Sequence, residues 1–255
     1  IVNTGQHYDF NMSELFFNEL KIPGAKYNLE VGSGAHGRQT GEMLKRLEPL
    51  VEKENPDWVL VYGDTNSTLA GALVSSKLHI PLGHIEAGLR SFNRKMPEEI
   101  NRVLTDHIST LLFCPSDVSR KNLKMEGITA GVYVVGDVMY DIFRKFKYRF
   151  SNDNPYGEYC LLTMHRAENT TKDVLLKRIH QIGGLDTRVV YPIHPRTKKF
   201  LKKYSIATPD NLLLIEPVGW LELMGLVKHS NFVLTDSGGL QKEALWHGKH
   251  CFTLR

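Results

Sequence analysis

The chain contains few cysteines and has no long apolar run. Its three cysteines, Cys114, Cys160 and Cys251, lie far apart and form neither a CxxC motif nor a disulfide framework. We interpret them as buried free thiols in a reducing cytoplasm. No apolar stretch approaches the roughly 20 residues that a membrane-spanning helix needs. The composition therefore predicts a cytoplasmic protein without a membrane partner.

An excess of charge of one sign is also missing. The 255 residues include 32 Lys and Arg against 28 Asp and Glu, a net charge of +4, and the two signs alternate along the chain. Because no basic block is present, we expect no nucleic-acid partner. A local basic pocket for an anionic small molecule is still compatible with this charge. The length allows one large domain or two ordinary ones.

Helical and strand periodicities alternate along the chain. Helical spacing over residues 39–54 leads into the apolar run "WVLVY", and similar pairs follow up to "MYDIFRKF". The polar, Pro- and Gly-containing stretch 149–158 then reads as a linker, and a second alternation follows. Continuous apolar strands separated by helices are typical of parallel sheets. We therefore predict an α/β protein with two domains, residues 1–148 and 149–255.

Acidic side chains follow two strands of the first predicted domain. Asp64 ends "VLVYGD" and Glu86 ends "IPLGHIE", while Glu98 and Glu99 begin the helix of "MPEEINR". Ordinary explanations exist for each: Asp64 as a helix cap, Glu86 paired with an arginine, and helix-start acids that favour the positive end of the helix. Taken singly, these acids therefore carry little functional weight.

Two strand ends of the second predicted domain carry histidine and arginine. "LTMHRAENT" supplies His165 and Arg166, and "YPIHPRTKK" supplies His194 and Arg196. A lone histidine is usually structural, and the spacings typical of metal sites are missing, so we expect no metal.

A third strand end, "VLTDSGGLQKEA", is the most specific. The small residues Ser237, Gly238 and Gly239 allow backbone N–H groups to approach a phosphate at a helix start. Glu243, one helical turn later, suits the two hydroxyls of a ribose. An unliganded tight turn explains the tripeptide equally well, and no GxGxxG or GxxxxGK[ST] motif is present.

Eight motifs in order resemble those of the non-hydrolysing UDP-N-acetylglucosamine 2-epimerases, archaeal members above all. They are "TGQHYD", "RQT", "GDT", "HIEAGLRS", "MPEEINR", "HRAEN", "HPRT" and "LTDSGGLQKEA". The resemblance implies a GT-B-like pair of Rossmann-like domains with the active site in the cleft between them, a homodimer, and no metal or nicotinamide cofactor. It also implies interconversion of UDP-N-acetylglucosamine and UDP-N-acetylmannosamine through elimination and re-addition of UDP, with a glycal intermediate.

The resemblance also assigns roles to residues. The catalytic carboxylates fall on Asp64, Glu86 and Glu98, with Arg90 and Arg102 expected to hold them in place, and which acid serves which face of the sugar stays open. His165 is implied to assist the leaving diphosphate. Substrate-binding roles are implied for Arg102, Arg196, Trp220 (uracil stacking, where Tyr or Phe is more usual), Ser237, Gly238, Gly239, Glu243 (ribose) and Arg255. A second, activating substrate molecule is implied near Gln6, His7, Arg38 and Gln39.

Several alternatives remain from the sequence. A hydrolysing epimerase would release N-acetylmannosamine and UDP, a GT-B glycosyltransferase would transfer the sugar to an acceptor, and a silent nucleotide-sugar sensor would only bind. The family's initial strand, its GTRPE-like loop and its final helix have no counterpart in this sequence, so we expect missing segments at both ends and weak activity of a chain that truly lacks them. The pathway served is not indicated.

Overall fold

The computed structural model describes residues 1–5 and 19–254, without the side chains of residues 167 and 168. Of these, residues 1–5 and 21–141 form one compact unit, and residues 19–20 and 142–254 form another. The division falls between Asp141 and Ile142, inside a helix. Every strand pairing described within either unit is parallel.

The first unit contains a four-stranded sheet in the order β3-β4-β5-β6 and a separate pair, β1-β2. Its elements are β1 (Val2–Asn3), β2 (Tyr27–Asn28), α1 (His36–Glu54), β3 (Val59–Tyr62), α2 (Asn66–Lys77), β4 (Leu82–Ile85), α3 (Pro97–Ile108), β5 (Leu111–Cys114), α4 (Asp117–Met125), β6 (Val132–Val134) and α5 (Val138–Phe146), which crosses into the second unit. Small and aliphatic side chains such as Ala70, Ala72 and Leu112 are buried between sheet and helices. This packing places the ends of β3 and β4 side by side.

The second unit contains a five-stranded sheet in the order β11-β10-β7-β8-β9. After the short 3-10 helix Lys147–Arg149 come β7 (Cys160–Thr163), a 3-10 turn (Ala167–Thr170), α6 (Lys172–Gly183), β8 (Val189–Pro192), α7 (Pro195–Lys203), β9 (Leu212–Ile215), α8 (Trp220–His229), β10 (Phe232–Thr235), α9 (Gly238–Trp246) and β11 (His250–Thr253). Strands β7 and β10 are neighbours, in register from Leu161 and Val233 to Thr163 and Thr235. Their ends therefore present "HRAEN" and "DSGG" at the same edge of the sheet.

The central strands of both sheets are mostly apolar, as expected for strands that are covered on both faces, although β4 carries the buried His84 and β7 and β10 each end in a threonine. In β7, Cys160, Leu161 and Leu162 have no exposed surface. The stretch 149–158, predicted as a linker, lies in the second unit, where Phe150 packs against Phe143 and Trp220 at ring-centroid distances of 5.4 and 5.5 Å.

Candidate functional site

The ends of β3 and β4 bring two of the predicted acids together. Tyr62 and Ile85 are in register, so Asp64 and Glu86 leave the sheet at the same edge. A Cβ atom placed on Gly63 would lie 3.7 Å from Oε2 of Glu86. Glu86 has a φ of 72°, a left-handed conformation that a side-chain-bearing residue adopts at a cost of about 1–3 kcal/mol. The surrounding turn must therefore hold Glu86 in place.

Arg102 joins the turn after β3 to helix α3. Its guanidinium donates to Oδ2 of Asp64 through one nitrogen and to Oε2 of Glu99, at 3.0 Å, through another. The Asp64 side chain is 30% exposed, whereas that of Arg102 is only 13% exposed. The expectation that Arg102 restrains a candidate catalytic acid therefore agrees with this geometry. Contact of Arg102 with substrate stays a prediction.

The two glutamates at the start of α3 occupy opposite environments. Glu98 is exposed, and Glu99 is 2% exposed. Glu99 accepts hydrogen bonds from the backbone N–H of Ser91 (2.9 Å), the Ser91 hydroxyl (2.9 Å) and the N–H of Phe92 (2.8 Å). Burial opposes ionisation, but these hydrogen bonds and the charge of Arg102 outweigh it and lower the pKa of Glu99. Glu99 therefore anchors the 91–92 loop, a role that the sequence did not single out.

A chain of buried amides runs behind Asp64. Asn101 donates from Nδ2 to the Asp64 carbonyl (2.9 Å) and to Oδ1 of Asn66 (3.1 Å). Asn66 in turn donates to Oε1 of Gln39 at 2.8 Å, and Gln39 donates to the Gly32 carbonyl. Gln39, implied in activation, thus lies in the chain of amides behind the candidate acid. Arg38 is exposed, and Gln6 and His7 lie outside the described residues.

Arg90 contacts acids other than the three predicted ones. Its guanidinium donates to Asp106 at 2.7 Å and binds both carboxylate oxygens of Glu126 at 2.7 and 2.8 Å. The side chain is 1% exposed. Its described ion pairs therefore do not support a direct role in holding Asp64, Glu86 or Glu98. Sequence distance alone could not distinguish these partners, because Glu126 lies 36 positions away.

In the second unit, Asp236 joins two loops. Its fully buried carboxylate accepts from the backbone N–H groups of His165 (3.0 Å) and Arg166 (2.9 Å) and from the Asn169 amide (3.0 Å). Nδ1 of His165 lies 3.2 Å from Oδ1, while the imidazole is 51% exposed. The histidine is thus attached on one side and open to solvent on the other.

The Ser237-Gly238-Gly239 turn begins α9. The Ser237 hydroxyl caps the helix by accepting from the N–H of Leu240 at 3.3 Å, and the Ser237 N–H donates to the Thr235 hydroxyl at 2.9 Å. Apart from its chain neighbours and the backbone of its own helix, no atom of the described residues lies within 4 Å of the position that a Cβ on Gly238 would occupy. The first turn of this helix therefore leaves space for an anion at Gly238, and the binding of a diphosphate there stays a prediction.

Glu243 and Trp220 form a buried pair. The indole Nε1 donates to Oε1 of Glu243 at 2.7 Å, and Trp220 and Glu243 are 9% and 5% exposed. The Trp220 ring makes edge contacts with Phe146 and Phe150, so it belongs to the apolar core of this unit. Its principal described contact is with the predicted ribose ligand. Uracil stacking stays a prediction.

The remaining predicted ligands are peripheral or undescribed. Arg196 is exposed at the start of α7 and lies over the ring of Phe200 at 5.9 Å. His194 caps the same helix by accepting from the Arg196 N–H at 3.2 Å. Arg255 lies outside the described residues.

Across 1–5 and 19–254, no three His, Cys, Asp or Glu side chains are grouped as ligands for a metal ion. No helix in those same ranges combines the length and apolar character needed to cross a membrane.

Comparison with known proteins agrees with the resemblance seen in the motifs. The family model described as UDP-N-acetylglucosamine 2-epimerase matches residues 1–255. A homologue of that enzyme from Methanococcus maripaludis is 53% identical over 100% of this chain and 75% of its own length. The UDP-2,3-diacetamido-2,3-dideoxy-D-glucuronate 2-epimerase of Pseudomonas aeruginosa is 49% identical over 100% of this chain and 74% of its own length.

A solved structure gives the same result for the fold. The crystal structure of Methanocaldococcus jannaschii UDP-GlcNAc 2-epimerase in complex with UDP-GlcNAc and UDP matches with a TM-score of 0.89 and 46% identity, over 100% of this chain and 75% of that chain. The predicted α/β, GT-B-like fold class with parallel sheets is confirmed by this match and by the strand pairing. The chain therefore belongs to the UDP-N-acetylglucosamine 2-epimerase family.

Proposed function

We propose that this protein is a non-hydrolysing UDP-N-acetylglucosamine 2-epimerase, an isomerase that interconverts UDP-N-acetylglucosamine and UDP-N-acetylmannosamine. The observation that carries the proposal is the pair of strand-end acids, Asp64 and Glu86, at one sheet edge in a member of this family. Glu98 lies on the helix that sends Arg102 to Asp64. Such a set supplies both an acid and a base, as epimerisation requires.

The reaction is an elimination followed by an addition. A carboxylate takes the proton from the sugar carbon that bears the acetamido group, and the C–H electron pair forms the C1–C2 double bond of a glycal. The bond between C1 and the diphosphate oxygen breaks, and UDP leaves with that electron pair. A second acid protonates C2 from the opposite face while UDP returns to C1, so the atoms of the substrate are conserved. The proton on this carbon is weakly acidic, so developing charge on the departing diphosphate must be stabilised at the same time.

We assign that stabilisation to the second unit. The open first turn of α9 offers N–H groups and a helix N-terminus to the diphosphate, and the exposed His165 offers Nε2. Glu243 is proposed to bind the ribose, held by Trp220. Residues 1–148 thus supply the acids, and residues 149–255 bind the nucleotide.

A second candidate substrate follows from the Pseudomonas relative. Its identity to this chain, 49%, is similar to the 47% of the Methanocaldococcus jannaschii UDP-N-acetylglucosamine 2-epimerase. Both reactions invert the carbon that bears an acetamido group, so the same acids serve either. UDP-2,3-diacetamido-2,3-dideoxy-D-glucuronate is therefore the alternative substrate to be tested.

Further properties belong to the same proposal. We expect a homodimer that uses no metal or nicotinamide, and a cytoplasmic location that agrees with the free thiols of Cys114, Cys160 and Cys251. Activation by a second UDP-sugar would appear as sigmoidal substrate dependence. Gln39 would act there through its hydrogen bonds to Gly32 and Asn66.

Proton NMR in D₂O tests the reaction directly. The purified protein is incubated with each of the two UDP-sugars. Formation of the C2 epimer with deuterium at C2 supports the proposal and identifies the substrate. Free N-acetylmannosamine plus UDP would indicate hydrolysis instead, and absence of both exchange and product with either sugar would contradict epimerase function.

The roles of the acids are tested by isosteric substitution. Asp64→Asn, Glu86→Gln and Glu98→Gln should each lower kcat by orders of magnitude with a modest effect on UDP binding, because these groups act on the transition state. Asp57→Asn, at an exposed position of the same unit, is the matched control. Full activity of any one acid variant would remove that residue from the mechanism.

A further inference from the structure

A fully buried histidine lies directly beneath the turns that carry Asp64 and Glu86. His84, in the strand β4, has 0% exposure. Its Nδ1 lies 2.7 Å from Oδ1 of Asp106, and its Nε2 lies 2.8 Å from the carbonyl oxygen of Gly63. A carbonyl oxygen only accepts hydrogen bonds, so Nε2 must carry a proton.

The surroundings of Asp106 decide the proton on the other ring nitrogen. Its second oxygen, Oδ2, accepts from the Arg90 guanidinium at 2.7 Å and from the Gly88 N–H at 3.1 Å. These donors suit an ionised carboxylate, which is an acceptor at both oxygens. Nδ1 of His84 must then be the donor to Oδ1. With protons on both nitrogens, the ring is an imidazolium.

Charge balance supports the same assignment. The network contains the carboxylates of Asp106 and Glu126, and Arg90 bridges them with one positive charge. His107 reaches Glu126 at 3.2 Å only from the rim, where its side chain is 45% exposed. A cationic His84 balances the second carboxylate, so that the network holds equal numbers of positive and negative charges. Such pairing is the condition under which buried charges are tolerated.

The same network is attached to both candidate acids through the backbone. Gly63, bonded to His84, immediately precedes Asp64, and Gly88, bonded to Asp106, follows Glu86 by two residues. Glu86 itself has the strained φ of 72°. Gly88 has no room for a side chain, since a Cβ there would meet the Ser119 carbonyl oxygen at 2.4 Å. The His84–Asp106 pair is therefore a side-chain link between the two turns, in addition to the backbone hydrogen bond from the Gly63 N–H to the Ile85 carbonyl at 3.0 Å.

We propose that His84 is a positioning residue, an imidazolium whose two N–H groups hold the turns of Asp64 and Glu86 in register for proton transfer. The charge assignment stands on the geometry alone. The positioning role rests on the proposed epimerase function.

The charge of His84 is tested on the unliganded wild-type protein, so the test needs neither an activity assay nor a variant. The protein is labelled with ¹⁵N-histidine, and the His84 ring is assigned through its backbone. At about pH 7.5, the spectra should show two protonated ring nitrogens whose N–H groups exchange slowly with water. A neutral ring with one protonated nitrogen would overturn the proposal.

The positioning role is tested by His84→Gln, with His107→Gln on the rim of the same network as control. The Gln amide carries both of its N–H donors on one nitrogen and an acceptor oxygen beside it, so it cannot donate to the Gly63 carbonyl and the Asp106 carboxylate from two separate atoms as the imidazolium does. The turns should therefore separate slightly, and kcat should fall about 100-fold, the loss that a misplacement of about 1 Å can cause. KM for the UDP-sugar and the thermal shift caused by UDP should change less than about threefold, and the control should retain wild-type kcat. A His84→Gln enzyme that folds and keeps its kcat would overturn the role. An inactive wild type refutes the proposed function instead, and the NMR result then decides the imidazolium.

Discussion

Glu99→Gln should destabilise the protein by about 3 kcal/mol, whereas Glu98→Gln should cost about 1 kcal/mol or less. The carboxylate of Glu99 accepts three hydrogen bonds from Ser91 and Phe92 and one from Arg102. The amide of Gln keeps one acceptor oxygen and turns donors towards at least one N–H group. The loss of hydrogen bonds to a buried charged group costs about 1.5–3 kcal/mol, and the lost partner of Arg102 adds to this.

The neighbouring residue provides the matched control. Glu98 is exposed in the first turn of α3, so its removal forfeits only the attraction to the helix N-terminus, about 0.3–1 kcal/mol. Glu98→Gln should lose turnover although its stability is nearly that of the wild type. The same substitution at two adjacent glutamates is thus expected to lower stability at Glu99 and turnover at Glu98.

Urea unfolding of the two variants and the wild type measures the difference, and its pH dependence checks the cause. The pKa of Glu99 is lowered in the folded state from an ordinary value of 4.5. Its ionised form therefore contributes fully above about pH 4.5, and the contribution is lost as the pH falls below that value. The difference in unfolding free energy between the wild type and Glu99→Gln should therefore become smaller as the pH falls below about 4.5. Equal stability of the two variants at pH 7 would refute the reasoning.

Three further predictions follow from other contacts. Asp236→Asn should lower kcat strongly in the wild-type background and little in a His165→Gln background, because the carboxylate acts through that imidazole; additive losses in this double-mutant cycle would contradict the coupling. Glu243→Gln should raise KM for the UDP-sugar more than it lowers kcat, and an unchanged KM would remove the ribose role. Burial, with nearby lysines, lowers the pKa of His247 from 6.5 to about 4. Between these two values the unfolded state binds more protons than the folded state. The free energy of unfolding should therefore decrease as the pH falls through this range, by up to about 1.4 kcal/mol per pH unit. Urea unfolding at several pH values should show that His247→Phe lacks this dependence of the unfolding free energy on pH, whereas the exposed control His250→Gln should keep it.

Much of the fold follows from local pattern. Runs such as "WVLVY" and "LLFC" are too apolar for a strand with one solvent-exposed face, and the helices between them are typical of connections between parallel strands. From there, the order of strands along the chain places Asp64 beside Glu86 once β3 and β4 are neighbours. The position of Asp64 and Glu86 at strand ends could therefore be predicted from the pattern, whereas their catalytic role is implied only by the resemblance and stays a prediction.

The choice of partners could not be predicted. Arg90 and Arg102 both lie near the acids in sequence, yet Arg90 binds Asp106 and Glu126 while Arg102 binds Asp64 and Glu99. Long cationic side chains reach several neighbours, and tertiary packing selects among them over distances of many residues. Trp220 is similar: its place in the motif suggests a nucleobase, whereas its described surroundings are the apolar core and Glu243.

Burial separates two kinds of acid that the motifs place together. Glu99, Asp106 and Asp236 are between 0% and 2% exposed, and their oxygens accept backbone N–H groups, amides or guanidinium donors from the protein itself. Asp64 and Glu98 keep access to solvent. A carboxylate whose acceptor sites are occupied by the protein is a poor base toward a substrate carbon, so burial agrees with the proposal that the accessible acids transfer protons while the buried ones anchor loops. In "MPEEINR" the two kinds are adjacent, because successive residues of a helix differ by about 100° in direction and one of each pair faces the core. Glu99 and the proposed catalytic residue Glu98 are then fixed by the same turn of helix, so a substitution at Glu99 should also displace the Glu98 carboxylate.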